Sequence, residues 1–202
     1  MGKLDSKKKQ KQESLFNTAF ELFTTKGLSK TSISDIVNKA GVAKGTFYLY
    51  FKDKYDIRNK LISHKSSQIF SKAVADLDNL KGKLSFEDQL IFVIDHIVGQ
   101  LNENKSLLNF ISKNLSWGIF KDALTTPLIA GDVDFKQVYE SMIKNAGCKF
   151  KNPEVMLFMI IELVSSTCYS VILYNEPISF DEYKPYLHEA VRKIIELNKT
   201  EK

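Results

Sequence analysis

A chain of 202 residues that is 44% hydrophobic and 26% charged has the balance of a soluble globular protein, long enough for a substantial core in one large or two modest domains. Its nine Gly and four Pro leave long uninterrupted stretches, which excludes a turn-rich β fold and favours helices. The net charge of +5 is unevenly placed: residues 1–60 carry 13 Lys+Arg against 6 Asp+Glu, a balance of +7, and the remainder carries −2. A basic excess confined to one end is the electrostatic footprint of a nucleic-acid partner. Two cysteines, Cys148 and Cys168, are too few for a disulfide framework and lack metal-ligand spacing, so reduced thiols in a cytoplasmic protein are expected.

Residues 1–11 hold Lys3, Lys7, Lys8, Lys9 and Lys11 with no apolar stretch after them, so no secretory signal is expected. The run reads as a mobile arm entering the first helix. It is either a solubilising tail or a source of non-specific attraction to phosphates. From Leu15 the set Leu15, Phe16, Ala19, Phe20, Leu22 and Phe23 keeps helical spacing until Gly27 stops it.

The stretch from Thr31 to Lys54 carries the densest information. Ile33, Ile36, Val37 and Ala40 form one apolar helical stripe, Ser32 with Asp35 has capping-box spacing, and Gly41 follows where a helix ends in the left-handed region. A second short helix is expected from about Ala43 to Phe51, with Phe47 and Phe51 facing inward and Lys44, Gly45, Tyr48 and Leu49 outward. Two short helices joined by a Gly turn make a helix-turn-helix. Gly45 inside a helix costs roughly 1 kcal/mol against Ala, and close approach to a phosphate strand or base edge is one compensating reason. A solvated surface with a tolerated glycine is the other reading.

These residues resemble the TetR family. Gly27, Thr31, Ile33, Ile36 and Ala40-Gly41-Val42, followed by Lys44-Gly45-Thr46-Phe47-Tyr48-Leu49-Tyr50-Phe51-Lys52-Asp53-Lys54, are similar to its signature, over about residues 12–60. The rest of the chain matches only in length and helical pattern. The resemblance implies an all-α fold: a three-helix helix-turn-helix DNA-binding domain (1–52, with the basic arm) and a helical effector-binding and dimerisation domain (53–202), about nine helices in all. It implies a dimeric bacterial transcription regulator, usually a repressor, that binds a pseudo-palindromic double-stranded operator. DNA contacts then fall on Thr31, Val42, Ala43, Lys44, Gly45, Thr46, Tyr48, Leu49, Tyr50 and Lys54, with Phe47 and Phe51 at core positions.

Beyond the motif, Asp53 to about Leu80 reads as one long helix with a polar patch at Ser63–Ser67 and Gly82 after it. Ser85 with Asp88 offers another cap, and Leu90, Ile91, Ile94, Ile97, Val98 and Leu101 define a helix to about Glu103. Ser106 to Ala123 reads as two short helices bent near Trp117-Gly118, and Thr125 to Val133 as a loop, the mobile segment outside the arm. Phe135, Val138, Tyr139, Met142 and Ile143 make a further helix stopped at Gly147.

Val155 to Tyr174 is 20 residues with one charge, Glu162, long enough to span a bilayer. Ser165, Ser166, Thr167 and Ser170 argue against a span; a helix buried all round because a partner subunit covers it is the stronger reading, and no membrane partner is expected. Ser179 with Glu182 opens the last element, where Pro185 is expected to break a helix begun at Ser179, so that a tight turn comes first and the helix starts near Pro185. Two long apolar helices at the C-terminus are the parts of a four-helix bundle between two subunits.

No nucleophile-base set, phosphate loop or metal cluster is visible, so neither an enzyme nor a cofactor or metal is expected. His64, His96 and His188 lie far apart and read as surface or satisfied core residues. A small apolar or amphipathic effector is implied by the resemblance alone. Candidate linings mix aromatic and polar character: Ile69, Phe92, His96, Phe110, Trp117, Phe120, Met159, Glu162 and Ser166, with ordinary core packing as the alternative at each. Glu162 facing a dry cavity would select a cationic lipophilic ligand. The alternative function is a DNA-binding regulator without small-molecule effector, controlled by a protein partner or by abundance.

Overall fold

The structure, a computed structural model, describes residues 3–80, 84–114 and 133–200. Among them are nine helices: α1 Lys3–Thr25, α2 Ile33–Ala40, α3 Lys44–Tyr48, α4 Lys54–Asp78, α5 Phe86–Glu103, α6 Lys105–Asn114, α7 Phe135–Lys144, α8 Pro153–Tyr174 and α9 Phe180–Asn198. The fold is all-α, with a single isolated antiparallel bridge between Phe150 and Lys199 among the described residues. Two compact units, Met1–Ser63 and His64–Lys202, divide it. The 1–52/53–202 division expected from sequence places the break before α4; the observed division falls within that helix.

The first unit packs α1, α2, α3 and the start of α4 around Leu15, Phe16, Ile36, Phe47, Phe51 and Ile57, all buried. Phe51 sits 5.3 Å from Phe16 and 5.4 Å from Phe47, ring centre to ring centre, in tilted geometry that favours aromatic pairs. The capping box at α2 is formed: the Ser32 hydroxyl accepts from the Asp35 N–H at 3.1 Å, and the Asp35 carboxylate accepts from the Ser32 N–H at 2.8 Å. The backbone N–H of Ser32 and then its hydroxyl hold the Asp35 carboxyl below its usual range. Gly41 ends α2 at φ +67, a conformation that costs other residues roughly 1–2 kcal/mol.

Two expectations need correction here. Residues from Lys3 are already helical, so Lys7, Lys8, Lys9 and Lys11 ride on α1 and not on a mobile arm. Tyr50 donates its phenol to the Lys8 carbonyl at 3.2 Å, which ties that first stretch of α1 to the segment after α3. The second helix of the motif is also shorter than the expected 43–51, ending at Tyr48 in a turn that keeps the Phe51 N–H on the Phe47 carbonyl.

In the second unit, α5, α8 and α9 enclose a core of Leu90, Ile94, Val98, Met156, Ile160 and Leu187. Polar contacts join α9 to α5: Arg192 to Asp88 at 2.6 Å, and His188 and Lys184 to Asp95 at 2.8 and 3.4 Å. The Tyr139 hydroxyl of α7 donates to the Pro153 carbonyl at the start of α8, and burial pushes that phenol up, keeping it a donor. Helix α9 begins at Phe180, capped by a Ser179–Glu182 box, and runs through Pro185. The expected turn before Pro185 is therefore overturned. The ring costs one backbone hydrogen bond near an exposed helix start, and the cap plus the buried stripe Leu187, Val191 and Ile195 outweigh it.

Helix α8 is the one described helix long and apolar enough to cross a membrane, but Met156, Leu157, Ile160, Cys168, Val171 and Ile172 belong to this core. Only 33% of its most apolar window is buried, so it is not covered all round within one chain. Val155 and Phe158 lie on the uncovered side, 45% and 38% exposed.

Candidate functional site

Two features stand out, one in each unit. In the first, the sequence after Gly41 builds an exposed ledge on a rigid frame. Val42 donates its N–H back to the Val37 carbonyl at 3.0 Å, which turns the chain sharply into α3. Phe47 is fully buried, so the rest of the helix is forced outward. Ala43, Lys44 and Gly45 are exposed, Tyr48 and Leu49 are 52% and 79% exposed, and Val42, Thr46 and Tyr50 are half-buried at the ledge's margin. A Cβ built on Gly45 meets nothing within 4 Å. Among the described residues nothing therefore requires glycine there.

Eight of the ten positions expected from sequence are thus exposed or half-buried around α3. The other two are engaged by the protein itself, Thr31 buried and Lys54 half-buried. Thr31 is 1% exposed, and its Oγ1 donates to the Gly27 carbonyl at 2.9 Å, bracing the turn between α1 and α2. Lys54 donates its Nζ to the Leu28 carbonyl at 2.8 Å, which fastens the start of α4 to the same turn. Both set the angle at which α2 and α3 are presented. Asp53 caps α4 through the N–H groups of Tyr55 and Asp56, and Lys60 holds the Tyr50 carbonyl at 3.1 Å.

The second unit contains a cavity of about 600 Å³, within the usual size range of small-molecule sites. One whole face of α5 forms its wall: Leu90, Val93, Ile94, Ile97, Val98 and Leu101. Ser66, Ile69 and Phe70 of α4 add to it, with Leu108 and Ile111 of α6 and Phe135 of α7. From α8 come Leu157, Ile160, Ile161 and Val164, then a stripe of Glu162, Ser165, Ser166 and Ser170. Cys168 also faces it, its thiol pushed up to about 12 by burial and hence neutral.

Of the effector candidates drawn from sequence, Ile69, Glu162 and Ser166 lie on this wall. Phe92 stacks on His96 at 4.8 Å, and His96 turns to Asp76 at 2.8 Å. Phe110 is buried and Met159 half-buried, and neither belongs to the wall. Trp117 and Phe120 lie outside the described residues, as do the bend near Trp117-Gly118 and most of the expected loop 125–133. Glu162 is exposed at the rim, which corrects the picture of a carboxylate in a dry cavity. Among the described residues no group of three or more His, Cys, Asp or Glu could hold a metal ion; His64 sits beside Gln68 and His188 beside Asp95.

Residues 15–61 match the family model described as "Bacterial regulatory proteins, tetR family". Over those residues the chain is similar to the TetR family. Among curated relatives, it is 40% identical over 90 residues to the uncharacterized HTH-type transcriptional regulator YvdT of Bacillus subtilis, covering 45% of this chain and 43% of the relative. It is 34% identical over 87 residues to the fatty acid metabolism regulator protein of the same organism, covering 43% of each. The chain thus spans less than half the length of these curated relatives. Likeness of fold extends further: the solved structure of FadR from Bacillus subtilis in complex with stearoyl-CoA superposes with TM-score 0.65 at 18% identity, over 89% of this chain and 96% of that one. A TetR-family regulator from Haemophilus influenzae superposes with TM-score 0.63 at 17% identity, over 98% and 100%.

Sequence reasoning missed most of the cavity wall. It sought positions mixing aromatic and polar character, whereas the wall is mainly aliphatic, with Phe70, Phe135 and Tyr169 as its aromatic members. The signal available was the unbroken apolar face of α5, which periodicity alone does not distinguish from core.

Proposed function

We propose that the chain is a dimeric, sequence-specific DNA-binding regulator, acting as a cytoplasmic repressor that a small-molecule effector releases from a pseudo-palindromic operator. The observation that carries the DNA reading is the ledge: Lys44, Gly45, Thr46, Tyr48 and Leu49 turned outward by a fully buried Phe47. Lys44 supplies charge, Tyr48 a phenolic donor for phosphate, and Leu49 an apolar surface for a thymine methyl. Thr46 and Tyr50 reach the margin, while Thr31 and Lys54 position the ledge from inside.

Two copies of the ledge, about 34–36 Å apart, would enter successive major grooves. Exposed apolar groups on the last two helices support pairing of two chains there: Val155 and Phe158 on α8, Tyr186 and Leu197 on α9. The cavity supports an effector over control by abundance or a protein partner. Helix α4 runs unbroken from Lys54, beside the ledge's supports, to residues 66, 69 and 70 on the cavity wall. It is the element through which an occupant would alter operator binding, by roughly 1–3 kcal/mol of coupling.

Selection from a random pool of labelled duplexes at low salt, followed by titration with the enriched sequence, tests this reading. Lys44→Ala should weaken binding by about 1–3 kcal/mol with the melting curve unchanged. Wild-type protein that enriches no duplex, or sediments as a monomer when bound, overturns it.

A further inference from the structure

The chemical class of the cavity's occupant follows from the groups that its described wall carries. Apart from one rim carboxylate, the described lining holds no charged side chain: no Lys, Arg or His is among its residues. The α5 face offers only branched aliphatic surface, which suits a flexible hydrocarbon chain. Apart from Ser66 on α4, polarity is gathered along α8 at Glu162, Ser165, Ser166, Tyr169 and Ser170, spaced to fall on one side of a helix, with the Tyr169 hydroxyl donated to Asn109. Four short polar groups in a row can orient one end of a ligand, and the strongest of them is an acceptor.

An anionic head placed here would meet the Glu162 carboxylate at the exposed rim, a like-charge contact, with no cation on the described wall to offset it. The Cys168 thiol, neutral because buried, adds no charge of either sign. Resting on the effector reading above, we propose that the cavity binds a single-chain aliphatic amphiphile whose polar end is cationic or uncharged. Its chain lies against α5, and its head lies on the Glu162–Ser170 stripe of α8. Carboxylates and phosphate-bearing thioesters of the same chain length are disfavoured, in contrast to the acyl-CoA bound in the FadR structure.

Decylamine, decan-1-ol and decanoate, each below its micellar concentration, test the proposal on the full-length protein by saturable rise in melting temperature and by calorimetry. Decylamine should bind at least roughly tenfold more tightly than decanoate, the scale of one charge-assisted hydrogen bond, with decan-1-ol between them. Glu162→Gln, a change at an exposed position, should bring decylamine down to the decan-1-ol level and leave decan-1-ol unchanged. Ile97→Phe, which narrows the cavity, should weaken all three. Decanoate binding as well as decylamine, an amine preference that survives Glu162→Gln, or no saturable binding by any of the three would each overturn the proposal. Duplex selection, run on the same preparation, separates that failure from failure of the DNA-binding reading.

Discussion

The two units solve opposite problems with the same helical material. The first, 63 residues long, is in the size range where a core is marginal, and it fills that core with interlocked aromatics and fastens its ends with specific caps. Phe16, Phe47 and Phe51 meet within 5.5 Å, and Ser32, Gly41 and Asp53 each fix a helix terminus. The second unit, larger and more aliphatic, leaves about 600 Å³ unfilled beside α5. On the function proposed above, rigidity would serve a surface that presents side chains at fixed positions to a regular duplex, and the aliphatic cavity would serve an effector.

The largest expected effect breaks the rigid unit. Phe47→Ala removes a fully buried ring packed against Phe51 and should cost about 3–5 kcal/mol, a large part of the stability of so small a unit. Chemical denaturation followed by hydrogen exchange should show amides of α1–α3 losing protection first. The matching change in the second unit is Leu101→Ala on the cavity wall. Because Leu101 already lacks contacts on one side, its loss should cost about 2 kcal/mol or less. Equal losses at the two sites would remove the contrast between a filled and an unfilled interior.

A smaller effect separates stability from recognition at one residue. Gly45 has open space around it, so Gly45→Ala should stabilise the helix-turn-helix by up to about 1 kcal/mol, the helix-propensity difference. The same methyl would stand between the ledge and the duplex, and operator affinity should fall. A variant more stable and equally avid for DNA would show that the glycine is merely tolerated.

The contrast also explains what was legible in the sequence. In the first unit each residue's role is local: Ser32-x-x-Asp35 and Gly41 set helix ends, and Phe47 with Phe51 declares the inward face, so the motif and its buried side can be read off. The hydrogen bonds of Thr31 and Lys54 could not be, because their partners, the carbonyls of Gly27 and Leu28, become near neighbours only once the α1–α2 turn closes. The lysines before Leu15 read as an arm because charge density hides helical continuity. At Pro185 the local rule, that proline breaks a helix, yielded to a capping box and a buried stripe. The cavity wall was least legible: Leu90, Ile94 and Leu101 look the same whether they touch protein or empty space.

The smallest effect is electrostatic and tests whether the caps differ in kind between units. Asp35 in the first and Asp88 in the second both have carboxyls held below their usual range. Asp35 is held by the Ser32 N–H and hydroxyl, and Asp88 by Arg192 and then the Ser85 hydroxyl. A depressed folded pKa means that the charged form is favoured by folding. Its contribution is therefore complete above the unfolded value near 4 and is lost as the pH falls through that value toward the lower folded one. Asp35→Asn and Asp88→Asn should each lower the urea midpoint at pH 7, with the difference from wild type closing as the pH falls below about 4. Added salt should shrink the Asp88→Asn difference at pH 7, because an exposed ion pair with Arg192 is screened, and should spare more of the Asp35→Asn difference, which rests on short hydrogen bonds within one helix turn. A salt response of the same size in both variants would mean that the second unit's cap is no more dependent on its distant partner than the first unit's is on its own backbone.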